Sequence, residues 1–283
     1  MQSFTSCPIF DSHTHVFPDA IGPRVVAQLS ASISIHPCYD GTRAGLLRKQ
    51  AAAGISGCLN APVATRADQV TTINNWAAEQ NRWPMLSLGA MHPDILDIRA
   101  ELQRVKALGL PGVKMHPEFQ GFAPDESRLD PVWQICSDLG LIVLLHAGND
   151  CFFAPPCHAS PAVIARVVRK WPALRLIAAH FGGFQLWDAV ERDLIGQPVY
   201  LDTSFTIGHL PDEQFVRMVR RHGVDRILFA TDGPWQDAST AIAAFQRLPL
   251  TPAEQEAILW KNASGLFGLS AYESQARNPT ACT

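Results

Sequence analysis

The sequence predicts an α/β fold, a single (β/α)₈ TIM barrel with an extra C-terminal helix, and three observations carry that reading. First, eight short apolar, β-rich runs recur: Pro8–His13, Ile55–Asn60, Met85–Met91, Gly112–His116, Leu141–His146, Arg175–His180, Val199–Thr203 and Ile227–Asp232. They are near-continuous rather than alternating, as parallel strands buried on both faces should be. Second, from the second run to the eighth their starts are about 29 residues apart, the length of one strand-loop-helix-loop unit. Third, no G-x-G-x-x-G or phosphate-binding loop follows any run, which disfavours an open, nucleotide-binding sheet. A barrel typically takes about 250 residues, close to the 283 present.

The connecting segments follow in order. The first unit is about 47 residues long, so its β-to-α loop carries an insertion near Val16–Asp40. A helix is predicted from an N-cap candidate at Asp94 to a closing Gly109. The loop after the fifth run, Gly148–Pro161, is long and contains Phe152, Phe153, Pro155 and Pro156. Both long loops fall on the face where barrel active sites form. Ser160-Pro161 opens another helix, with proline in the first turn, and Thr251-Pro252-Ala-Glu254 opens the last one. Residues 1–269 are expected to form one barrel domain, and the polar stretch 270–283 a flexible tail.

Composition narrows the function. Hydrophobic residues make up 47% and charged ones 17%, below the usual share of about 25%, so a large part of the chain should be buried. The net charge is −3, with 23 basic and 26 acidic residues interspersed, which argues against a nucleic-acid surface. No run approaches the roughly 20 apolar residues of a membrane span. The first basic residue is Arg24, so a secretory signal is not expected. Seven cysteines without a C-x-x-C pair do not form a disulfide framework, and cytoplasmic residence is the simplest expectation.

The ten histidines locate the chemistry. His13, His15, His116, His146 and His180 end predicted strands, and His92 follows one. His36, His158 and His209 fall in β-to-α loops, and only His222 lies on a helix. Residues i and i+2 of a strand point the same way, so His13 and His15 can both face the barrel axis, as can Lys114 and His116. The last strand adds the carboxylate of Asp232. Neutral imidazole and carboxylate suit Zn²⁺, and also Mn²⁺, Fe²⁺ or Co²⁺. A catalytic metal wants three or four protein ligands and one open position, and His13, His15, His146 and Asp232 meet that description. Singly, Asp232 could equally cap the next helix, and His180 could be a core histidine bonded to a backbone carbonyl.

At these residues the chain resembles the amidohydrolase superfamily, in the branch that includes aminocarboxymuconate semialdehyde decarboxylase. The matching pieces are Asp11-Ser-His13-Thr-His15, Gly112-Val-Lys-Met-His-Pro117 with Gln120-Gly-Phe122, Leu144-Leu-His-Ala-Gly148, Ala179-His-Phe-Gly-Gly183, Leu201-Asp-Thr-Ser204 and Ala230-Thr-Asp-Gly-Pro-Trp235. The resemblance spans Ile9 to Gly268. It implies that His13, His15, His146 and Asp232 bind one divalent metal, usually zinc. It also implies that His180 hydrogen-bonds the metal-bound water and acts as base or acid. The chain departs from that decarboxylase at Lys114 and His116. A carboxylated Lys114 bridging a second metal is the less favoured arrangement, and substrate binding by Lys114 and His116, with Trp235, the favoured one.

The expectation that follows is metal-dependent hydrolysis of a small amide, lactone or ester, carboxylated or cyclic. Metal-activated water would attack, with proton transfer through His180 and Asp232. Arg24 or Arg43 is a candidate partner for a substrate carboxylate. The alternative is a metal-dependent, non-oxidative decarboxylase or hydratase of an aromatic or muconate-type acid. The expected partner is a small molecule rather than nucleic acid or membrane. Many relatives of this type are dimers, so a homodimer is the expected assembly.

Overall fold

The computed structural model describes residues 7–33 and 35–271. Its strands are β1 (Phe10–Thr14), β2 (Gly57–Asn60), β3 (Met85–Ser87), β4 (Gly89–Ala90), β5 (Gly112–Met115), β6 (Ile142–Leu145), β7 (Arg175–Ala178), β8 (Tyr200–Asp202) and β9 (Ile227–Leu228). They pair in parallel, in the orders β1-β2-β3 and β4-β5-β6-β7-β8-β9. Each lies inside one of the eight runs expected from sequence, except that β1 extends one residue past its run. The third run is split because Leu88 leaves the ladder between β3 and β4 and donates instead to the Asn60 carbonyl at 2.9 Å. The ring closes between its first and last strands. Ser12 donates to the Phe229 carbonyl at 2.9 Å, Asp232 to that of His13 at 2.8 Å and His15 to that of Gly233 at 2.6 Å. The fold is thus the α/β TIM barrel.

Alternation along the strands divides two apolar layers. Val143 and Leu145 of β6 and Leu176 and Ala178 of β7 pack outward under the helices. Ile142, Leu144 and Ile177 face inward with Phe10, Leu59 and Leu228, and Leu266 and Phe267 of the C-terminal helical segment pack against them. The same parity sends Lys114 and His116 inward after Gly112, and His146 inward after Ile142 and Leu144. On β1 the pairing register shifts between Asp11 and Thr14. One extra residue there keeps His13 on the inner face that Phe10 begins.

Helices differ from expectation mainly at their ends. The helix predicted from Asp94 runs Ile98–Ala107 and is capped by Asp97, whose carboxylate accepts from the Ala100 N–H at 2.8 Å. Thr251 and Glu254 form a reciprocal capping box at the last helical segment, which runs from Pro252 to Phe267 with a π-helical turn at Ala257–Lys261. The long first loop contains a helix of its own, Gly22–Ile33. Most of the tail expected at 270–283 lies outside the described residues. No helix among the described residues is long and apolar enough to cross a membrane.

Candidate active site

The C-terminal ends of the strands open into a cavity of about 750 Å³. Five of the ten histidines line it: His13, His15, His116, His146 and His180. Lys114, Asp232 and Trp235 line it as well, so the expected metal, catalytic and substrate-wall residues all reach one cavity. Both long loops contribute, the first through its helix and the second through Asn149, Asp150, Cys151 and Phe152. Arg24 and Arg43 are not in the lining; Arg43 instead donates to the Arg82 carbonyl at 3.2 Å.

One group gathers His13, His15 and Asp232, with a donor atom from each within 4.8 Å of the others. His15 Nε2 lies 2.8 Å from Asp232 Oδ1, and His13 Nε2 lies 3.5 Å from the same oxygen. His13 Nδ1 lies 3.0 Å from Asp202 Oδ2. The carboxylate can only accept, so it fixes the proton on Nδ1 and leaves the Nε2 lone pair facing the cavity. Burial, then the charge of Lys114, pushes the His13 imidazole well below its usual range. Burial works to raise the Asp232 carboxyl, but His13 and His15 more than offset it and bring it down to about 2. Neutral imidazole nitrogens and an ionised carboxylate converging on one point are the donor chemistry of a divalent-cation site. Lys114 stands beside this group, with Nζ 3.1 Å from His13 Nε2. Burial lowers its ammonium to about 8, against the pull of Asp232, Asp202 and Asp150.

A second group joins His116, His146 and Asp150. The two rings stack with centroids 4.2 Å apart and planes within 9°. Asp150 Oδ2 lies 3.5 Å from His116 Nε2 and 3.6 Å from His146 Nε2. His146, expected among the metal ligands, is therefore grouped apart from His13, His15 and Asp232. Its Nε2 lies 3.1 Å from the Asn149 carbonyl, which takes the Nε2 proton and leaves Nδ1 as an acceptor.

His180 connects the two groups, with Nε2 3.2 Å from His146 Nδ1. Since that Nδ1 accepts, His180 Nε2 donates. On its other side, His180 Nδ1 lies 2.9 Å from Ser204 Oγ. The single Ser204 hydroxyl proton goes to Asp202 Oδ1, which also accepts from the His180 and Ser204 backbone N–H groups. His180 Nδ1 faces the Ser204 oxygens and Nε2 faces His146, so the imidazole is held at both ring nitrogens. Strand parity alone would turn His180 outward. Left-handed backbone at His180 (φ 56°) and Phe181 (φ 57°) re-aims the imidazole inward and sends Phe181 outward against Phe215. Asp232 is also left-handed, at φ 58°. Such conformations cost about 1–3 kcal/mol each for residues other than glycine and persist only where the surroundings hold them.

Beneath the mouth, Asp11 ties β1 to the last strand. Its Oδ1 accepts from the His13 and Thr231 backbone N–H groups, and its Oδ2 from Gln50 Nε2 at 2.7 Å and Thr231 Oγ1 at 2.6 Å. Burial pushes its carboxyl up to about 6, with those donors working against the rise. Asp11→Ala strands several buried donors and is expected to cost about 2–4 kcal/mol, lowering the thermal midpoint by roughly 5–15 °C. A melting scan checks this; an unchanged midpoint refutes the anchoring role. Gly148 is held at φ +84°, where a Cβ would stand 2.1 Å from the Phe184 nitrogen, so only glycine lets the long loop start this close to the His180 segment.

Sequence reasoning did not assign Asp11, Asp150 or Ser204 a role. Asp11, Asp202 and Ser204 stand in the matched motifs, but parity gives no signal for their contacts, because the register shift on β1 and the left-handed backbone at His180 override it. The remaining histidines lie outside the cavity lining. His222, for example, bridges the Val199 carbonyl and the Gly196 N–H.

A closed TIM barrel whose mouth gathers histidines, an aspartate and a buried lysine defines the class of metal-dependent barrel enzymes. Residues 10–269 match the amidohydrolase family model, and the chain belongs to that family. It is 27% identical to the γ-resorcylate decarboxylase of Polaromonas sp. (strain JS666 / ATCC BAA-500) over 133 residues, which span 40% of each chain. Among solved structures, 2,6-dihydroxybenzoate decarboxylase from Rhizobium superposes with a TM-score of 0.68 at 20% identity, covering 93% of this chain and 99% of that one. A dihydroxybenzoic acid decarboxylase from Polaromonas sp. JS666, with bound manganese and the inhibitor 2-nitroresorcinol, gives 0.68 at 19% identity, covering 93% and 97%. These relatives overturn the expectation of hydrolysis: the chemistry they carry is decarboxylation, the alternative reading. The second of these structures holds manganese, so the relatives do not single out the zinc expected from the resemblance.

Proposed function

We propose that the chain is a divalent-metal-dependent, non-oxidative decarboxylase of a hydroxylated aromatic acid. The observation that carries the reading is a His-His-Asp group able to hold a cation and a histidine anchored at both ring nitrogens sharing one cavity, in a chain whose named relatives are decarboxylases. His13, His15 and Asp232 would hold the metal, with His146 beside them. When bound, the metal supplies Lewis-acid polarisation of a substrate oxygen.

The chain's own residues do the rest. Lys114 provides an ammonium for the substrate's anionic oxygens at the floor of the cavity. His180 delivers a proton to the ring carbon that bears the carboxylate, and electron density from a ring hydroxyl oxygen forms the new C–H bond. The C–C bond then breaks, its electron pair returns to the ring, CO₂ leaves and aromaticity is restored. His180 recovers its proton from water. Phe119, Phe152, Phe184 and Phe205 line the cavity, flank a flat ring and keep water from the carboxylate. His116 and Trp235 complete the wall around the substrate.

The test is removal and return of metal. Chelator-treated protein should release no CO₂ from 2,6-dihydroxybenzoate or 5-carboxyvanillate, and added Mn²⁺ or Zn²⁺ should restore release and raise the thermal midpoint. Metal-loaded protein that frees no CO₂ from any hydroxylated benzoate overturns the reading.

A further inference from the structure

The cavity has two kinds of wall. Around the histidines it is aromatic, with Phe119, Phe184, Phe205 and Trp235. On the side built by the first-loop helix and the segment after β2 it is aliphatic, with Val25, Leu29, Ile33, Pro62, Val63 and Ile73. Val25, Leu29 and Ile33 repeat every four residues and so form one stripe on the helix, while the neighbouring Val26 is fully packed on another face. All three stripe residues are only half-buried, and all three line the cavity. The charged pair on this side, Arg66 and Asp68, is closed on itself at 2.9 Å and sits mostly in solvent. A volume of about 750 Å³ lies in the upper part of the range of about 300–1,000 Å³ that holds ligands much larger than a single ring.

We propose that this aliphatic side is a subsite for an alkyl substituent, so that the substrate is an alkyl-substituted hydroxyaryl acid. The substrate class rests on the decarboxylase reading; the subsite itself does not. The reacting ring lies among the aromatic side chains and the alkyl chain lies along the helix. From Val25 to Ile33 that wall is about 12 Å long at 1.5 Å per residue. The charged residues lining this side, Arg66 and Asp68, are paired with each other, so a second carboxylate finds no free cation in the lining there.

The test uses 4- and 5-alkylresorcinols from methyl to hexyl, which have no carboxylate to lose, titrated calorimetrically against metal-loaded protein. In parallel, CO₂ release is measured from the matching alkyl-2,6-dihydroxybenzoates. Affinity should rise about fourfold per added carbon, the equivalent of about 0.8 kcal/mol per buried methylene. The rise should flatten in Val25→Asn/Leu29→Asn and weaken in the milder Leu29→Ala, with thermal melts confirming that each variant folds. A flat series in the unaltered protein overturns the subsite, even if the parent acid loses CO₂. A rising series with no CO₂ from any acid upholds the subsite and removes the decarboxylase reading instead. A flat series, together with a dimer that Leu29→Asn splits, makes the stripe the seat of a second copy and overturns the proposal.

Discussion

Exchanging Asp232 for asparagine is expected to lower CO₂ release at least about a thousandfold and to leave the protein with little bound metal. The factor corresponds to losing the several kcal/mol that a bound cation contributes. Asparagine has the shape of aspartate, so the backbone bond from residue 232 to the His13 carbonyl, which helps close the barrel, is retained. What is lost is charge. Asp232 is the one carboxylate in the group with His13 and His15, and its carboxyl is held down to about 2, so it is ionised throughout the working pH range. An amide offers the metal only a neutral oxygen, and it can turn its NH₂ toward His15 Nε2 in place of an acceptor. Elemental analysis and CO₂ assays on the same preparation check both halves. A variant that keeps full metal and full rate would remove Asp232 from the site.

Legibility from sequence followed the strength of the local signal. The staves were readable because strands buried on both faces must be nearly continuous in apolar residues, as Ile142–Leu145 is. The mouth residues were readable because His116 and His146 stand directly past strand ends, and His180 and Asp232 within a few residues of one. Strand edges were less so: the run expected at Ile227–Asp232 keeps ladder geometry only over Ile227–Leu228. Residues 229–233 still make three backbone hydrogen bonds to Ser12–His15, but the left-handed turn at Asp232 breaks the regular pattern. Asp150 was hidden because its place depends on the path of a long loop, which has no periodicity to read. The grouping of His146 with His116 was hidden for a different reason. Parity sends both inward, and only the contacts of Asn149 and Asp150 decide which nitrogen faces which partner. The helix Gly22–Ile33 was expected only as an insertion, yet it builds the aliphatic wall that distinguishes this cavity.

Replacing His180 by glutamine should separate proton delivery from metal binding. Glutamine can still donate toward His146 Nδ1, so the contact at 3.2 Å has a substitute and the metal content should stay near that of the unaltered protein. It cannot hold a transferable proton, so turnover should fall by about 10²–10⁴, the usual contribution of a positioned acid or base. The loss should appear in kcat, with affinity for unreactive resorcinols little changed, because the imidazole acts on the ring carbon rather than as an anchor. In D₂O, uptake of deuterium into resorcinol reports the same proton step in reverse and should slow in parallel. Ser204→Ala removes the hydroxyl that faces His180 Nδ1, and as a positioning change it should cost less, about 10–100-fold. Should His180→Gln turn over and exchange deuterium at the unaltered rate, the proton would have to come from elsewhere in the cavity. Lys114, whose ammonium is lowered to about 8 beside His13, is then the remaining donor that the geometry offers.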